Sequence, residues 1–170
     1  MLLCLYVDDC GLAASDKRLI DDFVDSLKQL GFDLDIEDNF EEYLGIGIEA
    51  FKDGTRHMTQ KGLIKKVISA TKLENCKPNW TPTSQVALGK DEDGEPFDES
   101  FDYASVVGML LYLSNNTRPD ITFAVSQVAR FTHNPKQSHG TAVKMIVRYL
   151  AQTHDKGLIV KPDDTLNLLT

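Results

Sequence analysis

Two adjacent aspartates, Asp8 and Asp9, are the residues of this chain whose type and spacing most directly suggest chemistry. They follow the apolar run 1–5 and the pair Tyr6-Val7, which places them where a strand ends in a turn. Uncompensated carboxylates repel each other, and a site that gathers them commonly holds a hard cation such as Mg²⁺. Pairs of such cations clamp the attacking and leaving oxygens of an in-line phosphoryl displacement. The alternative is two solvated turn residues, since Asp-Asp pairs are common in turns.

The elements that would position this pair begin with a hairpin. Residues 2–7 and 10–14 predict its two strands, with a turn around 8–9. An Asp-Gly pair at 53–54 predicts a second hairpin turn. Further strands are predicted over 32–36, 43–51, 56–59 and 157–161, with another beginning at 166–169.

Helical periodicity dominates the later part of the chain. The first helix is predicted over 17–30, between an N-cap at Ser15 or Asp16 and a C-terminal Gly31. The others are predicted over 60–71, from about 101 to 113, over 118–132 and over 137–153. Thr117 and Asp120, three residues apart, predict a capping box. Hairpins followed by helices indicate an α+β fold.

The segment 74–100 is the candidate linker, because it contains three prolines and a run of acidic residues. Such a composition buries too little apolar area to offset the entropy of ordering. We therefore expect 84–99 to be a long, flexible acidic loop.

The charge of the chain is negative overall and uneven. The net charge of −8 argues against a generic nucleic-acid-binding module, since phosphate contacts need Lys and Arg. Residues 1–102 hold 11 Lys and Arg against 22 Asp and Glu, whereas residues 103–161 hold 7 against 2. This asymmetry suggests one part that collects cations and one that approaches phosphates, or ordinary surface variation.

Cysteine usage and hydropathy bear on the cellular compartment in which the protein is expected. Cys4, Cys10 and Cys76 have no metal-ligand spacing and no disulfide framework, so reduced thiols in an intracellular protein are expected. No convincing signal peptide or membrane-spanning run is present. The opening inside an apolar strand suggests that the chain starts partway through a domain.

Several other residues could take part in binding. Gly45 and Gly47 would let nucleic acid or another backbone come close, or would mark a bulged strand. Lys144 and Arg148, four residues apart on one helix face, form a basic stripe with Arg130, or else a solvated face. Arg118 could contact phosphate or tie down helix ends. The lone His57 and His139 are better explained by core or surface roles than by catalysis.

Four blocks, in order along the chain, resemble the reverse transcriptase of Ty1/copia-type retrotransposon polyproteins over nearly the whole length. They are Tyr6-Val7-Asp8-Asp9; the run 43–48; Tyr103 with 107–113 and 117–121; and Pro135, His139, 148–150 and Thr153. The third block is long and resembles little else. Cys10-Gly11, Leu63 and Gly140 depart from the family pattern and put tight nucleic-acid contacts in doubt.

The resemblance implies a partial right-hand polymerase. Residues 1–59 would be the C-terminal part of the palm, with primer-gripping strands at 43–59. Residues 60–153 would be a helical thumb and connection, and 154–170 would begin an RNase H domain. The parent protein would lie in the cytoplasm, within a virus-like particle.

The resemblance also implies roles. Asp8 and Asp9 would be the catalytic carboxylates that hold two Mg²⁺ ions. Tyr6 and Val7 would lie beside the primer terminus and the incoming nucleotide, although strand packing explains them equally well. An RNA template, a DNA primer, deoxynucleoside triphosphates and a downstream RNase H domain would be the partners.

The family places a third metal-binding carboxylate and the fingers upstream of the hairpin, and neither is found before Tyr6. We therefore expect RNA-directed DNA polymerisation in the parent enzyme and no activity from this segment alone. The alternatives are a non-catalytic domain that binds nucleic acid or a protein partner, and a decayed reading frame.

Overall fold

The computed structural model describes residues 1–37, 41–84 and 86–162. Its elements are β1 (Leu2–Tyr6), β2 (Asp9–Ala13), α1 (Lys17–Gln29), β3 (Glu42–Tyr43), β4 (Ile46–Ala50), β5 (Arg56–Thr59), α2 (Lys61–Ala70), α3 (Tyr103–Asn116), a 3₁₀ turn (Pro119–Ile121), α4 (Thr122–Ala129), α5 (Gln137–Gln152) and β6 (Leu158–Val160). Helices and antiparallel sheets confirm the predicted α+β class. No helix in these ranges is long and apolar enough to cross a membrane. The predicted strand at 166–169 lies outside the described residues.

The chain divides into two compact units, Met1–Leu44 and Gly45–Thr170. The first contains the predicted hairpin, in which β1 and β2 pair antiparallel from Leu2 opposite Ala13 to Tyr6 opposite Asp9. The turn is one residue earlier than predicted, because Val7 and Asp8 form it and Asp9 already belongs to β2.

Helix α1 begins and ends where the sequence predicts. The Asp16 carboxylate accepts a hydrogen bond from the Arg18 amide at 3.0 Å, which satisfies one of the free amides of the first turn. At the other end Gly31 adopts a φ of 89°, and the amides of Gly31 and Phe32 bond back to the carbonyls of Lys28 and Leu27. A left-handed residue is needed for this closure, which explains the glycine.

The predicted strand at 32–36 does not form, and residues 32–37 have no regular secondary structure. Alternation of apolar and polar residues is not enough for a strand that has no neighbour to pair with. This segment instead lines a cleft of about 740 Å³ with β2 and α1, whose apolar walls include Leu12, Phe23 and Ile36.

Little of the first unit is enclosed. Gly11 is its one buried residue among those described, and Leu5 of β1 is 71% exposed. Helix α1 has no buried residue. The first unit therefore has no enclosed apolar core among its described residues.

In the second unit, β4, β5 and β6 form an antiparallel sheet in that order. The predicted Asp53-Gly54 turn joins β4 and β5, with Gly54 at a φ of 83° and the Asp53 carboxylate accepting from the Thr55 amide. The predicted strand 43–51 is broken, because Leu44 and Gly45 have φ values of 53° and 73°.

Helices α2 to α5 enclose the apolar core. Its fully enclosed members come from all four helices and the 3₁₀ turn, and include Ile64, Val67, Leu110, Leu113, Ile121, Val125, Val143, Ile146, Val147 and Leu150. The predicted helical periodicity is therefore confirmed as the burial pattern of these helices.

The predicted capping box at Thr117 is wrong. Thr117 ends α3, and its hydroxyl group donates to the side-chain oxygen of Gln60 at 2.8 Å rather than accepting from a helix amide. The Asp120 carboxylate bonds to Arg118 instead. The predicted helix 118–132 accordingly becomes a 3₁₀ turn followed by α4, which ends at Ala129.

Residues 86–99, called the acidic strap below, are bonded along their length, in contrast to the flexible loop expected. The Gly89 carbonyl accepts from His139 at 2.9 Å, the Glu95 carbonyl from the Gln137 amide at 3.0 Å, and the Phe97 amide donates to Pro135 at 3.1 Å. Phe97 is 9% exposed. One buried aromatic ring and several main-chain hydrogen bonds offset the conformational entropy that is lost when this polar segment is ordered.

Candidate functional site

The candidate catalytic pair lies at the tip of the β1–β2 hairpin. Val7 in the turn has a φ of 50°, an uncommon value for a β-branched residue. Asp8 follows it in the turn, and Asp9 opens β2 opposite Tyr6. Because paired residues of an antiparallel ladder share a face, Asp9 lies on the same face as Tyr6.

Both carboxylates are exposed and make no hydrogen bond or ion pair with the described residues. Their oxygens are hard donors, and Mg²⁺ in phosphoryl-transfer sites is commonly held by one or two carboxylates, with waters and substrate phosphates as further ligands. The donor set of Asp8 and Asp9 therefore fits Mg²⁺. Within the described ranges, no group of three or more His, Cys, Asp or Glu side chains could hold a metal ion.

Tyr6 and Val7, the predicted primer and nucleotide contacts, are open to solvent. Tyr6 is 58% exposed and Val7 is 79% exposed. Tyr43 lies near the hairpin. The sequence placed this residue in the second reverse-transcriptase-like block but did not predict it as a site residue. Burial raises the pKa of Tyr43, and the nearby Cys4 and Asp9 raise it further.

The two glycines of the second block differ in conformation. Gly45 belongs to a left-handed turn, where a glycine is favoured, and a Cβ atom there would meet nothing within 4 Å among the described residues. Gly47 lies in β4 opposite Thr59, and a Cβ atom there would make ordinary contact at 3.6 Å. The space beside Gly45 is therefore open among the described residues, whereas that beside Gly47 is bounded by Thr59.

Arg118 is enclosed at 1% exposure, so its guanidinium group does not face solvent. It donates to the Asp120 carboxylate at 3.0 and 2.8 Å and to the carbonyl and hydroxyl oxygens of Thr153 at 2.9 and 2.7 Å. Tyr149 lies under the guanidinium and donates its hydroxyl to Asp120. The structure thus places Arg118 in the helix-tying role that was the alternative to phosphate contact.

The Asp120 carboxyl is electrostatically tuned by this arrangement. Burial alone would raise its pKa, but the hydrogen bonds from Arg118 and Tyr149 and the Arg118 charge bring that pKa below its usual value. For Tyr149, burial and the bond to Asp120 raise the pKa. The group is therefore a charged, hydrogen-bonded link between helix ends.

Of the other predicted nucleic-acid contacts, Arg130 directly follows α4, and Lys144 and Arg148 lie on α5. Arg130 is exposed, and its Nη2 atom donates to the Leu88 carbonyl of the acidic strap at 2.8 Å and to Gln127 at 2.7 Å. Lys144 lies over the Phe101 ring at 5.8 Å. The buried Nε atom of Arg148 has no hydrogen-bond partner in the described part of the chain.

The family model described as reverse transcriptase (RNA-dependent DNA polymerase) matches residues 1–85, which is half of the chain and includes the hairpin tip and the glycine block. The chain belongs to the reverse transcriptase family. No solved structure matches it.

Its relatives extend the family match past residue 85. The retrovirus-related Pol polyprotein from transposon RE1 of Arabidopsis thaliana is 33% identical over 98% of this chain and 11% of its own length. That from transposon TNT 1-94 of Nicotiana tabacum is 34% identical over 90% of this chain and 12% of its own length. An uncharacterized mitochondrial protein of Arabidopsis thaliana is 29% identical over 99% of this chain and 68% of its own length.

These matches confirm the resemblance to the reverse transcriptase region of Ty1/copia-type Pol polyproteins. The chain spans about a tenth of the length of those polyproteins, at 11% and 12%. This reverse transcriptase segment therefore corresponds to a small part of a much longer product.

Proposed function

We propose that this reverse transcriptase segment supplies the metal-binding hairpin and the thumb of a right-hand polymerase that copies RNA into DNA. In this proposal 1–59 is palm, 60–153 is thumb and connection, and 154–170 begins an RNase H domain. An RNA template, a DNA primer and deoxynucleoside triphosphates are its substrates within the polyprotein.

The observation that carries the proposal is the hairpin tip, where Asp8 and Asp9 are exposed and make no hydrogen bond or ion pair with the described residues. When bound there, Mg²⁺ would supply positive charge to the phosphates of the incoming nucleotide and activate the primer hydroxyl. The protein's own contribution is to present two carboxylates at the hairpin tip, Asp8 in the turn and Asp9 as the first residue of β2. Tyr6 and Val7, also exposed, would contact the primer end and the nucleotide.

A Mg²⁺ titration of the chain, followed by NMR of the backbone amides, tests the metal role. We expect weak, saturable shifts centred on Asp8 and Asp9 that are lost in the double variant Asp8→Asn with Asp9→Asn. The matched control is Asp21→Asn with Asp22→Asn, an adjacent exposed pair on α1. An equal loss of these shifts in the control variant would show that Mg²⁺ does not bind specifically at the hairpin tip.

A second candidate function, non-catalytic binding of nucleic acid, is supported by the charge of the helical region. Residues 103–161 carry 7 Lys and Arg against 2 Asp and Glu in a chain of net charge −8. Helix α5 contains Lys144 and Arg148 and no carboxylate. Such cations would contact phosphates irrespective of sequence, with affinity that falls as salt rises.

Fluorescence anisotropy with a labelled RNA–DNA hybrid tests this candidate. Lys144→Glu with Arg148→Glu should weaken binding at least about tenfold at low salt and flatten its salt dependence. The control is Lys65→Glu with Lys66→Glu on α2, which makes the same charge change at two exposed residues. If both double variants lose affinity equally, general charge and not α5 is responsible.

A further inference from the structure

The acidic strap lies against the most basic region of the chain. Its residues 86–99 contain six Asp and Glu and one Lys, a balance of −5. Its contacts are with the end of α4, the α4–α5 turn and the first turns of α5. That region contains Arg130, Lys136 and Lys144.

The strap accepts one hydrogen bond from each of two of these cations. Arg130 donates to the Leu88 carbonyl at 2.8 Å, and the Lys136 Nζ atom donates to the Gly94 carbonyl at 2.9 Å. Both acceptors are neutral main-chain oxygens. Phosphate oxygens form stronger, charge-assisted hydrogen bonds with Arg and Lys than neutral carbonyls do. Nucleic acid would therefore bind these two side chains once the strap has moved aside.

The strap also brings negative charge to Lys144. Asp98 is held by the Ser100 amide at 3.1 Å, and the positive charge of Lys144 is among the influences that keep the pKa of Asp98 below its usual value. Glu92, Asp93 and Glu95 are exposed and have no hydrogen bond from their side chains to described residues. Exposed charges act on a phosphate most strongly within one Debye length, about 8 Å at physiological salt, because dissolved ions screen them more at longer range.

The buried Phe97 ring anchors this arrangement together with the hydrogen bonds given above. The Phe97 ring lies against the backbone of Gly140 so closely that a Cβ atom there would come 2.4 Å from Phe97 Cε2. Phe97 also packs edge-on against Phe101, with ring centroids 4.9 Å apart. Beside it, His139 accepts from the Lys136 amide at its Nδ1 atom and donates to the Gly89 carbonyl through Nε2.

We propose that the docked acidic strap is an autoinhibitory element that keeps Arg130, Lys136 and Lys144 from nucleic acid. The proposal rests on the second candidate function above, since it presumes that the helical region can bind nucleic acid. Docking through Phe97 and Gly140 closes the surface, and release of the strap opens it.

Two variants release the strap without changing charge. Phe97→Ala removes the anchor, and Gly140→Ala fills the space that the ring occupies. Phe123→Ala, which truncates an aromatic ring that is 61% exposed on α4, is the control. Faster hydrogen exchange at the amides of Phe97 and Gln137, with an unchanged far-ultraviolet circular dichroism spectrum, verifies release.

Released variants should bind an RNA–DNA hybrid several-fold more tightly than the parent chain at about 50 mM salt. The slope of log affinity against log salt should steepen by about 2 to 3, because three cations each contribute about 0.9. Unchanged affinity and slope in variants whose strap exchange is accelerated would overturn the proposal.

A charge variant tests the same idea with the strap still docked. Glu92→Gln, Asp93→Asn and Glu95→Gln together should raise affinity more than Asp21→Asn, Asp22→Asn and Asp25→Asn, which change the net charge equally. Equal gains would mean that overall charge and not the strap sets affinity, and would also overturn the proposal.

A wrong autoinhibitory role and a wrong nucleic-acid-binding function give different binding results. If the parent chain binds the hybrid and no strap variant changes that binding, the autoinhibitory role alone is wrong. If neither the parent chain nor any released variant binds at about 50 mM salt, the nucleic-acid-binding function is wrong as well.

Discussion

The Arg118 guanidinium group donates to both oxygens of Thr153, at 2.9 Å to the carbonyl and 2.7 Å to the hydroxyl. Thr153 ends α5, and Arg118 directly precedes the 3₁₀ turn, so the pair joins two helix ends that are 35 residues apart in sequence. Asp120 balances the charge from a position that is partly exposed.

Arg118→Lys should lower the free energy of unfolding by about 2 kcal/mol or more, because a lysine has no planar fork to reach Asp120 and Thr153 together. Urea denaturation followed by circular dichroism measures this. Arg18→Lys, at a side chain that is 84% exposed, should change stability by less than about 0.5 kcal/mol. Equal effects of the two substitutions would contradict the assigned role.

The lowered pKa of Asp120 predicts a loss of stability in acid. Near pH 4 the unfolded chain binds a proton at this carboxyl more readily than the folded chain does. Its stabilising contribution is therefore present above the ordinary value of 3.8 and is lost as pH falls through the lower, folded-state pKa. Asp120→Asn should reduce the drop in stability between pH 5 and pH 3, measured by urea denaturation at about these two values. An identical acid profile in the variant would refute the assignment.

Val7→Gly should stabilise the hairpin by about 0.5 to 1 kcal/mol. A β-branched residue at a φ of 50° is strained, and relief of that strain exceeds the added entropy of a glycine in the unfolded chain. Since Val7 is 79% exposed, little packing is lost. Slower hydrogen exchange of the β1–β2 amides would register the gain. Val86→Gly, at a similar exposure of 78% without a positive φ, should give no stabilisation.

Two glycine substitutions should have opposite effects. At Gly157 a Cβ atom would come 2.0 Å from the Met58 carbonyl oxygen, so Gly157→Ala should part β6 from β5 and lower the thermal midpoint by several degrees. At Gly108, within α3, a Cβ atom would meet no described atom within 4 Å apart from its chain neighbours and the backbone of its own helix. Gly108→Ala should therefore raise stability by up to about 1 kcal/mol. Differential scanning calorimetry of both variants compares them, and a stabilising Gly157→Ala would show the backbone contact to be absent.

Local signals predicted several elements of both units correctly. The Asp-Gly turn, the helical periods and the cap at Asp16 each depend on residues within one or two turns of chain, and each is found in the structure. The strand expected at 32–36 failed because a strand is completed by a partner, and its own alternation says nothing about whether that partner exists.

Some features of the candidate site could likewise be predicted from the sequence, and others could not. Asp8, Asp9, Lys144 and Arg148 could be nominated from residue type and spacing, and the hairpin that presents the aspartates was predicted with a shift of one residue. The burial of Arg118 could not be foreseen, since its partner Thr153 is remote in sequence. Nor could the partners of Arg130 and Lys136 in the acidic strap, each 42 residues away.

The sequence by itself determined the family, through the order of its four blocks, and the secondary structure that nearby residues specify. Only the tertiary structure decided which cations are engaged and which carboxylates are free. The acidic strap illustrates the reason. Its composition predicts a large loss of conformational entropy on ordering. The hydrogen bonds that offset this loss, such as the one from His139 to Gly89 across 50 residues, form only once the chain has folded.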